Sequence, residues 1–265
     1  QAINAFQLVT YLNPNDFQAF YRLGISFKKV GDDLKAVEFF KKALEIKPDF
    51  GESFYELGII YYSQKKYEEA ITYLENAADF LPEQADQIYF QTSMLMQELG
   101  DYDSAIELLE KTIHINQQYT EAHYYLGWLY SQTKKFEQSI EAYQTVISLN
   151  PNYDSAYYNL GWAFIEKNQL PEAVETFEQA IAKNPDDADS YYSLGWTYGK
   201  LEEYMSAKDA FQKTIRIQPK HIYAHYGLGV AHLALGERTL ALEEYAILKD
   251  LDSTIAELLF EQIYP

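Results

Sequence analysis

Cysteine is absent from this sequence of 265 residues, which excludes both a disulfide framework and a thiol nucleophile. Long apolar runs are missing as well, because none reaches the roughly 18 residues that span a bilayer. Basic residues are few, with 21 Lys and Arg against 40 Asp and Glu and a formal net charge of −19. An acidic surface repels phosphate backbones, so the composition disfavours nucleic acid and favours a basic or neutral partner.

One pattern is present throughout, and it repeats along the chain with a period of 34 residues. The dipeptide Leu-Gly marks this period, with its leucine at Leu23, Leu57, Leu126, Leu160, Leu194 and Leu228. Proline follows the same period apart from one inserted residue, at Pro14, Pro48, Pro82, Pro151, Pro185 and Pro219. Self-similarity of this length predicts a stack of small repeats, each of which buries its apolar face only against its neighbours.

Each repeat predicts two helices joined by a short turn, with positions counted from the first residue of the repeat. Apolar residues recur at i, i+3 and i+7 in the first stretch, as at Phe20, Leu23 and Phe27. A break follows near position 15, often at glycine, and a second helical stretch ends before the proline. Glycine at position 8 and alanine at position 20 are small enough to let the paired helices approach closely.

The repeats cover nearly the whole chain. Full repeats are predicted at 17–50, 51–84, 86–119, 120–153, 154–187, 188–221 and 222–255, with Ala85 as an inserted residue. Residues 1–16 match the second helix of an earlier repeat whose first helix is missing, so we expect the chain to be a fragment of something longer. Asp252 or Ser253 caps a last helix, of which residues 256–265 form the remainder as a C-terminal capping segment.

The order of residues within a repeat resembles the tetratricopeptide repeat (TPR). The fifth repeat carries this order at Tyr157, Leu160, Gly161, Phe164, Ala173, Phe177, Ala180 and Pro185. The resemblance covers essentially the whole chain and implies an all-α fold, a right-handed superhelical solenoid of antiparallel helix pairs. In this family the first helices line a concave groove that usually holds an extended or helical segment of a partner protein.

The resemblance also indicates candidate binding residues, because positions 5 and 9 of the first helix face the groove in this family. Position 5 is aromatic in every repeat, at Tyr21, Tyr55, Phe90, Tyr124, Tyr158, Tyr192 and Tyr226. Position 9 holds all three tryptophans, Trp128, Trp162 and Trp196, in consecutive repeats. We expect the tryptophans to anchor a partner segment, flanked by Tyr124, Tyr158 and Tyr192, although the same rings can equally serve packing between neighbouring helices.

The residues beside this stripe suggest the chemistry of the partner. Acidic residues occupy the nearby positions 2 and 6, at Glu52, Glu56, Glu121 and Asp189. Aromatic faces beside carboxylates suit a segment that carries Lys or Arg, or one rich in proline. A groove of the type that clamps a C-terminal carboxylate has Lys and Asn at positions 5 and 9, and neither residue stands there in this chain.

Signals for catalysis are weak. His221, His225 and His232 have a helical spacing that can hold a metal, but they lack the glutamate of the helical zinc motif, and two of them fall at packing positions. Each Leu-Gly lies inside a helix rather than in a phosphate-binding loop. We therefore expect no enzyme activity, no metal and no cofactor in this chain. Two alternatives stay open: a recruiting module of a larger enzyme such as a glycosyltransferase, or a scaffold that self-assembles through its terminal helices.

The third repeat departs from the pattern. Thr92 and Ser93 replace Leu-Gly, Met96 replaces an aromatic residue and Gln117 replaces the closing proline, directly after the inserted Ala85. One interpretation is neutral drift. The other is a softened joint, since Thr and Ser bury less apolar surface than Leu and methionine adapts its shape.

Overall fold

A computed structural model describes residues 2–265, in which the chain forms sixteen α-helices and no β-strand. The first eight are α1 (Ala2–Leu12), α2 (Phe17–Lys29), α3 (Asp33–Ile46), α4 (Gly51–Ser63), α5 (Tyr67–Phe80), α6 (Ala85–Glu98), α7 (Tyr102–Ile115) and α8 (Thr120–Gln132). The others are α9 (Phe136–Leu149), α10 (Asp154–Glu166), α11 (Leu170–Lys183), α12 (Ala188–Lys200), α13 (Tyr204–Ile217), α14 (Ile222–Ala234), α15 (Arg238–Leu251) and α16 (Ser253–Ile263). The predicted all-α helical repeat is thus confirmed. Within residues 2–265, no helix is long and apolar enough to cross a bilayer.

The helices are arranged in two compact bodies, which we call the N-terminal body (residues 2–129) and the C-terminal body (residues 130–265). In the N-terminal body α2 packs on α3, α4 on α5 and α6 on α7. Successive hairpins also meet, through contacts of α3 with α4 and of α5 with α6. The C-terminal body repeats this arrangement with α10 and α11, α12 and α13, and α14 and α15. Gln1 of the predicted 1–16 segment lies outside the described residues, and α1 packs on α2.

The turn inside every hairpin has the same backbone geometry. Position 15 lies in the left-handed region in all seven repeats, at Gly31, Lys65, Gly100, Lys134, Asn168, Glu202 and Gly236. In the first repeat the amide of Gly31 donates to the carbonyl of Lys28 (3.0 Å), and the amide of Asp32 donates to the carbonyl of Phe27 (3.0 Å). These two bonds satisfy the last carbonyls of the first helix and reverse the chain into the second.

Glycine at position 8 sets the distance between the paired helices. A Cβ atom on Gly161 would lie 2.6 Å from ring carbons of Phe177, which stands at position 24 of the same repeat. The same contact joins Gly24 to Phe40, where a Cβ would lie 2.7 Å from the ring. Both phenylalanines are fully buried. The missing side chain therefore makes room for a core ring, and this packing holds each hairpin together.

The third repeat accommodates its unusual residues by local hydrogen bonds. Thr92 and Ser93 are buried, and their hydroxyls donate to the carbonyls of Ile88 (2.8 Å) and Phe90 (2.6 Å) within α6. The inserted Ala85 is the first residue of α6, which has 14 residues where α4 has 13. The extra residue lengthens one helix and leaves the pairing of α6 with α7 in place.

The last helix is capped by Asp252, whose carboxylate accepts hydrogen bonds from the amides of Thr254 (2.9 Å) and Ile255 (3.1 Å). Its inner face is buried against α14 and α15 through Ala256, Leu259 and Ile263. Its outer face is apolar in part, since it leaves exposed Leu258, Phe260 and Tyr264.

Candidate functional site

The rings predicted to bind a partner all lie on first helices and are all partly exposed. In the N-terminal body they are Tyr55, Phe90, Tyr124 and Trp128, and in the C-terminal body Tyr158, Trp162, Tyr192, Trp196 and Tyr226. Residues four apart lie one turn apart on the same side of a helix, so positions 5 and 9 of each first helix share a face. We call this set of nine rings the aromatic face, and we describe it separately in each body.

In the N-terminal body the aromatic face is held by contacts with neighbouring aromatic and polar groups. The Tyr55 hydroxyl donates to Oε1 of Gln91 (3.1 Å), and the ring of Trp128 meets Tyr102 edge-on at 5.9 Å between centroids. Phe90 and Tyr124 both contact Tyr125, with ring centroids 5.7 Å and 5.6 Å away. These rings are thus fixed in place while part of each surface stays open.

Carboxylates accompany the first rings of this body, as the sequence suggested. Burial raises the pKa of Tyr21 to about 12, with further contributions from the negative charges of Glu56 and Glu52. Glu56 is also paired with Lys28, whose Nζ lies 2.6 Å from Oε2. The potential around Tyr21 is therefore negative, with part of the charge already neutralised from within the chain.

In the C-terminal body the structure brings two tryptophans into contact. The rings of Trp162 and Trp196 lie 5.7 Å apart between centroids at an angle of 41°. Tyr158 meets Trp162 edge-on at 6.4 Å. The indole nitrogen of Trp162 is buried and has no hydrogen-bond partner within residues 2–265. Together these three rings form a continuous apolar surface along α10 and α12.

A pocket of about 440 Å³ opens at the end of this surface, between α12 and α14. Its walls include the predicted residues Tyr192, Trp196 and Tyr226. Three further side chains that the sequence did not indicate also line it, namely Lys200, Tyr204 and Tyr223. Burial, with smaller contributions from Tyr223 and Tyr158, raises the pKa of Tyr192, so its hydroxyl stays neutral.

Lys200 adds a positive charge to this otherwise aromatic and aliphatic pocket. Its Nζ lies 4.8 Å from the centre of the Trp196 ring, a cation–π distance. The one sequence signal for the pocket is glycine in two helices where other repeats have side chains, at Gly199 (position 12) and Gly227 (position 6). No pattern in a single repeat reveals it, because its walls come from three helices.

A second depression of about 650 Å³ lies between α1 and α2 in the N-terminal body. Ile3 and Phe6 form one side, and Tyr21, Ile25 and Val30 form the other. The depression contains the position-5 and position-9 residues of the first repeat, but no tryptophan.

The histidines suggested by their spacing each contact a different partner within the chain. His225 Nδ1 lies 2.6 Å from Glu244 Oε2, and His232 Nδ1 lies 2.6 Å from Glu237 Oε2. Both rings are buried, and His221 accepts a hydrogen bond from the amide of Ala224 at the start of α14. Within residues 2–265 no group of three or more His, Asp or Glu side chains is placed to hold a metal.

Comparison with protein families gives one consistent result. Models described as tetratricopeptide repeat match residues 17–50, 50–118, 120–153, 142–175 and 188–221, and a model described as TPR repeat matches residues 161–202. These matches extend over most of the chain. No curated protein sequence gives a significant match.

Solved structures share the fold. The crystal structure of MamA protein is 28% identical with a TM-score of 0.62, and the match covers 66% of this chain and 96% of that one. MamA from Desulfovibrio magneticus RS-1, residues 41 to the end, is 23% identical with a TM-score of 0.60 over 64% of this chain and 96% of its own. The C-terminal part of a TPR repeat-containing protein from Cytophaga hutchinsonii is 16% identical with a TM-score of 0.72. The match covers 88% of this chain and 96% of that one.

Proposed function

The chain belongs to the tetratricopeptide repeat family, and on this basis we propose that it is a protein-interaction scaffold that binds a partner segment on its aromatic face. The observation that carries the proposal is the partial exposure of all nine rings of the aromatic face, the three tryptophans included. Exposed aromatic surface is typical of interaction sites, and in the C-terminal body it is continuous across Tyr158, Trp162 and Trp196. Rings that are already held by neighbours lose little conformational freedom on binding, which favours affinity.

Tryptophan and tyrosine are the residues expected to supply most of the binding energy. At protein interfaces a few large side chains dominate, and each costs about 2 kcal/mol or more when it is truncated. In the C-terminal body the adjacent rings of Trp162 and Trp196 offer a ring surface shared by two helices. Trp128 offers a second anchor in the N-terminal body.

The partner's chemistry follows from the charges beside the rings. In the N-terminal body Glu52 and Glu56 surround Tyr21, and the chain as a whole has a net charge of −19. A segment with Lys or Arg next to apolar residues, or a proline-rich segment in the extended form, suits this environment. The proposal assigns the chain a binding role and no catalytic one.

Selection from a displayed library of short peptides tests the proposal. Wild type is compared with a triple variant, Trp128→Ala, Trp162→Ala and Trp196→Ala, whose helicity is checked by circular dichroism. A matched control removes three exposed rings outside positions 5 and 9, by Tyr11→Ala, Tyr62→Ala and Phe80→Ala. We expect wild type and control to enrich the same peptides and the tryptophan variant to lose them. Equal enrichment by all three proteins would show that binding occurs elsewhere.

Self-association through α16 is a second candidate function, which the exposed Leu258, Phe260 and Tyr264 favour. A double variant, Leu258→Lys with Phe260→Lys, removes the apolar patch and leaves the buried Leu259 in place. If the patch joins two copies, light scattering gives a dimer mass for wild type and a monomer mass for the variant. A monomer mass for wild type at high protein concentration contradicts this candidate.

A further inference from the structure

We propose that the pocket between α12 and α14 is a specificity subsite, which takes an aromatic or large aliphatic side chain of the partner together with a neighbouring carboxylate. The inference rests on the proposed function, since the pocket adjoins the Trp162–Trp196 surface and shares Trp196 with it. A segment that covers Trp196 therefore lies beside the pocket. The proposal therefore concerns one partner segment and names two of its adjacent side chains.

Two glycines line the pocket, and they differ in what lies next to them. A Cβ atom on Gly199 would meet no atom within 4 Å, so this residue borders open space. A Cβ atom on Gly227 would lie 2.5 Å from the ring of Phe211, so that ring closes the floor. Other repeats place a side chain at the position of Gly199, namely Lys28, Tyr62, Gln97, Ser131, Ile165 and Leu233. The opening is thus peculiar to the boundary between the sixth and seventh repeats.

The walls suit an apolar side chain with a large flat surface. Tyr192, Trp196, Tyr204 and Tyr226 present aromatic rings, and Val230 adds an aliphatic surface. Aromatic pairs gain free energy beyond that of the area that they bury, because their rings attract each other in tilted and edge-on arrangements. The volume of about 440 Å³ lies within the range of roughly 300–1,000 Å³ that is typical of sites for small ligands. It accommodates one large side chain with part of its neighbours.

The charge at the pocket favours one kind of partner residue beside the side chain that enters it. Among the described residues that line the pocket, Lys200 carries the only charge, and no carboxylate is present. Its ammonium group already covers one face of Trp196, and it makes no ion pair within residues 2–265. A Lys or Arg of the partner would meet a like charge here, whereas a carboxylate would pair with Lys200. Near Tyr21 in the N-terminal body, Glu52 and Glu56 instead favour a Lys or Arg of the partner.

Lys200 is exposed to solvent, so its charge is expected to affect which partner binds more than how tightly it binds. An exposed ion pair adds little to affinity, whereas like charges that are brought together disfavour a partner of the wrong charge. The buried ring is expected to supply the affinity, so filling the pocket is expected to weaken binding by about tenfold or more.

Peptide selection with three single variants tests the inference. Gly199→Phe fills the pocket, Gly199→Ala is its control with the same helix and an open pocket, and Lys200→Glu reverses the charge. We expect wild type and Gly199→Ala to select an aromatic or large aliphatic residue beside Asp or Glu. Gly199→Phe loses the aromatic preference and binds the wild-type peptides about tenfold more weakly or worse. Lys200→Glu keeps the aromatic residue and exchanges its acidic neighbour for Lys or Arg.

The outcomes separate this inference from the proposed function. Peptides that require the three tryptophans but are selected equally by wild type, Gly199→Phe and Lys200→Glu overturn the subsite and leave the scaffold function intact. A basic residue beside the aromatic one in the wild-type selection also overturns it. Failure of wild type to select any peptide overturns both proposals. Circular dichroism and the melting temperature of each variant show that a loss of binding is not a loss of fold.

Discussion

Individual aromatic side chains take one of two roles in this molecule, according to their position in the repeat. Phe40 and Phe177 at position 24 are fully buried against glycine, whereas Trp162 and Trp196 at position 9 remain partly exposed. The first role stabilises the hairpin, because a buried phenylalanine contributes about 1.5–3 kcal/mol by leaving water. The second leaves apolar surface in contact with solvent, where a partner can cover it.

His225 shows how one buried residue makes stability depend on pH. Its Nδ1 faces Glu244 at 2.6 Å and its Nε2 faces the carbonyl of Pro219 at 2.9 Å, so both ring nitrogens meet acceptors. Only the protonated ring can donate to both. The hydrogen bond to Glu244 accordingly raises the pKa of His225, and burial opposes it in part.

The stabilisation from His225 is therefore expected at low pH and not at high pH. A folded-state pKa above the unfolded value of about 6.5 gives a contribution that is complete below that value and disappears as the pH rises through the folded pKa. Denaturant unfolding of wild type and His225→Gln at about pH 5.5 and about pH 9 measures it. We expect a larger difference in the free energy of unfolding at the lower pH, and an equal or smaller difference there would refute the assignment.

At the scale of the helix, glycine at position 8 allows close approach inside four hairpins, at Gly24, Gly58, Gly161 and Gly195. Gly161 in α10 touches the ring of Phe177, while Gly199 in α12 borders open space. These two glycines lie in first helices of the same body and differ in what surrounds them. A substitution by alanine at Gly199 changes helix propensity alone, whereas a substitution at Gly161 also changes packing, so the two sites separate these effects.

Substitution by alanine is expected to have opposite effects at the two sites. Gly161→Ala forces a methyl group against a buried ring and should lower the free energy of unfolding by roughly 1–3 kcal/mol. Gly199→Ala favours the helix and should raise it by about 0.5–1 kcal/mol. Thermal and urea unfolding measure both changes. A Gly161→Ala variant as stable as wild type, or more stable, would mean that position 8 does not set the helix spacing.

The third repeat gives a second prediction at this scale. The hydroxyls of Thr92 and Ser93 form hydrogen bonds within α6. The second repeat has Leu57 and Gly58 at these positions, and Gly58 packs against Leu74, so the third repeat buries less apolar surface there. If this repeat is a softened joint, amide hydrogen exchange should be faster in α6 than in α4 of the same body. Equal protection in both helices would favour neutral drift.

The repeat period predicts the helix pairs and the buried glycine contacts, because position 8 and position 24 belong to one hairpin and recur with it. It also places Tyr192, Trp196 and Tyr226 on first helices. It does not predict the pocket that they line, because the walls of that pocket come from three helices and include Gly199, which borders open space. The position of Lys200 over Trp196 likewise depends on tertiary packing and not on a motif.

Across the whole molecule, the proposed function gives the net charge and the aromatic face different roles. A net charge of −19 is expected to accelerate the encounter with basic segments, and salt is expected to screen that attraction. The rings act at contact distance and are insensitive to salt. Long-range attraction and local selection are thus supplied by different residues, and each of the two bodies contributes its own share of rings.

Intrinsic tryptophan fluorescence tests the central claim most directly, because all three tryptophans of the chain stand at position 9. Their emission therefore reports on the aromatic face alone. The strongest peptide from the library selection is titrated into wild type while calorimetry records binding independently. We expect a saturable blue shift whose midpoint equals the calorimetric dissociation constant, as the indole rings leave water. Binding by calorimetry with unchanged emission would show that the partner is held away from the tryptophans and would contradict the account.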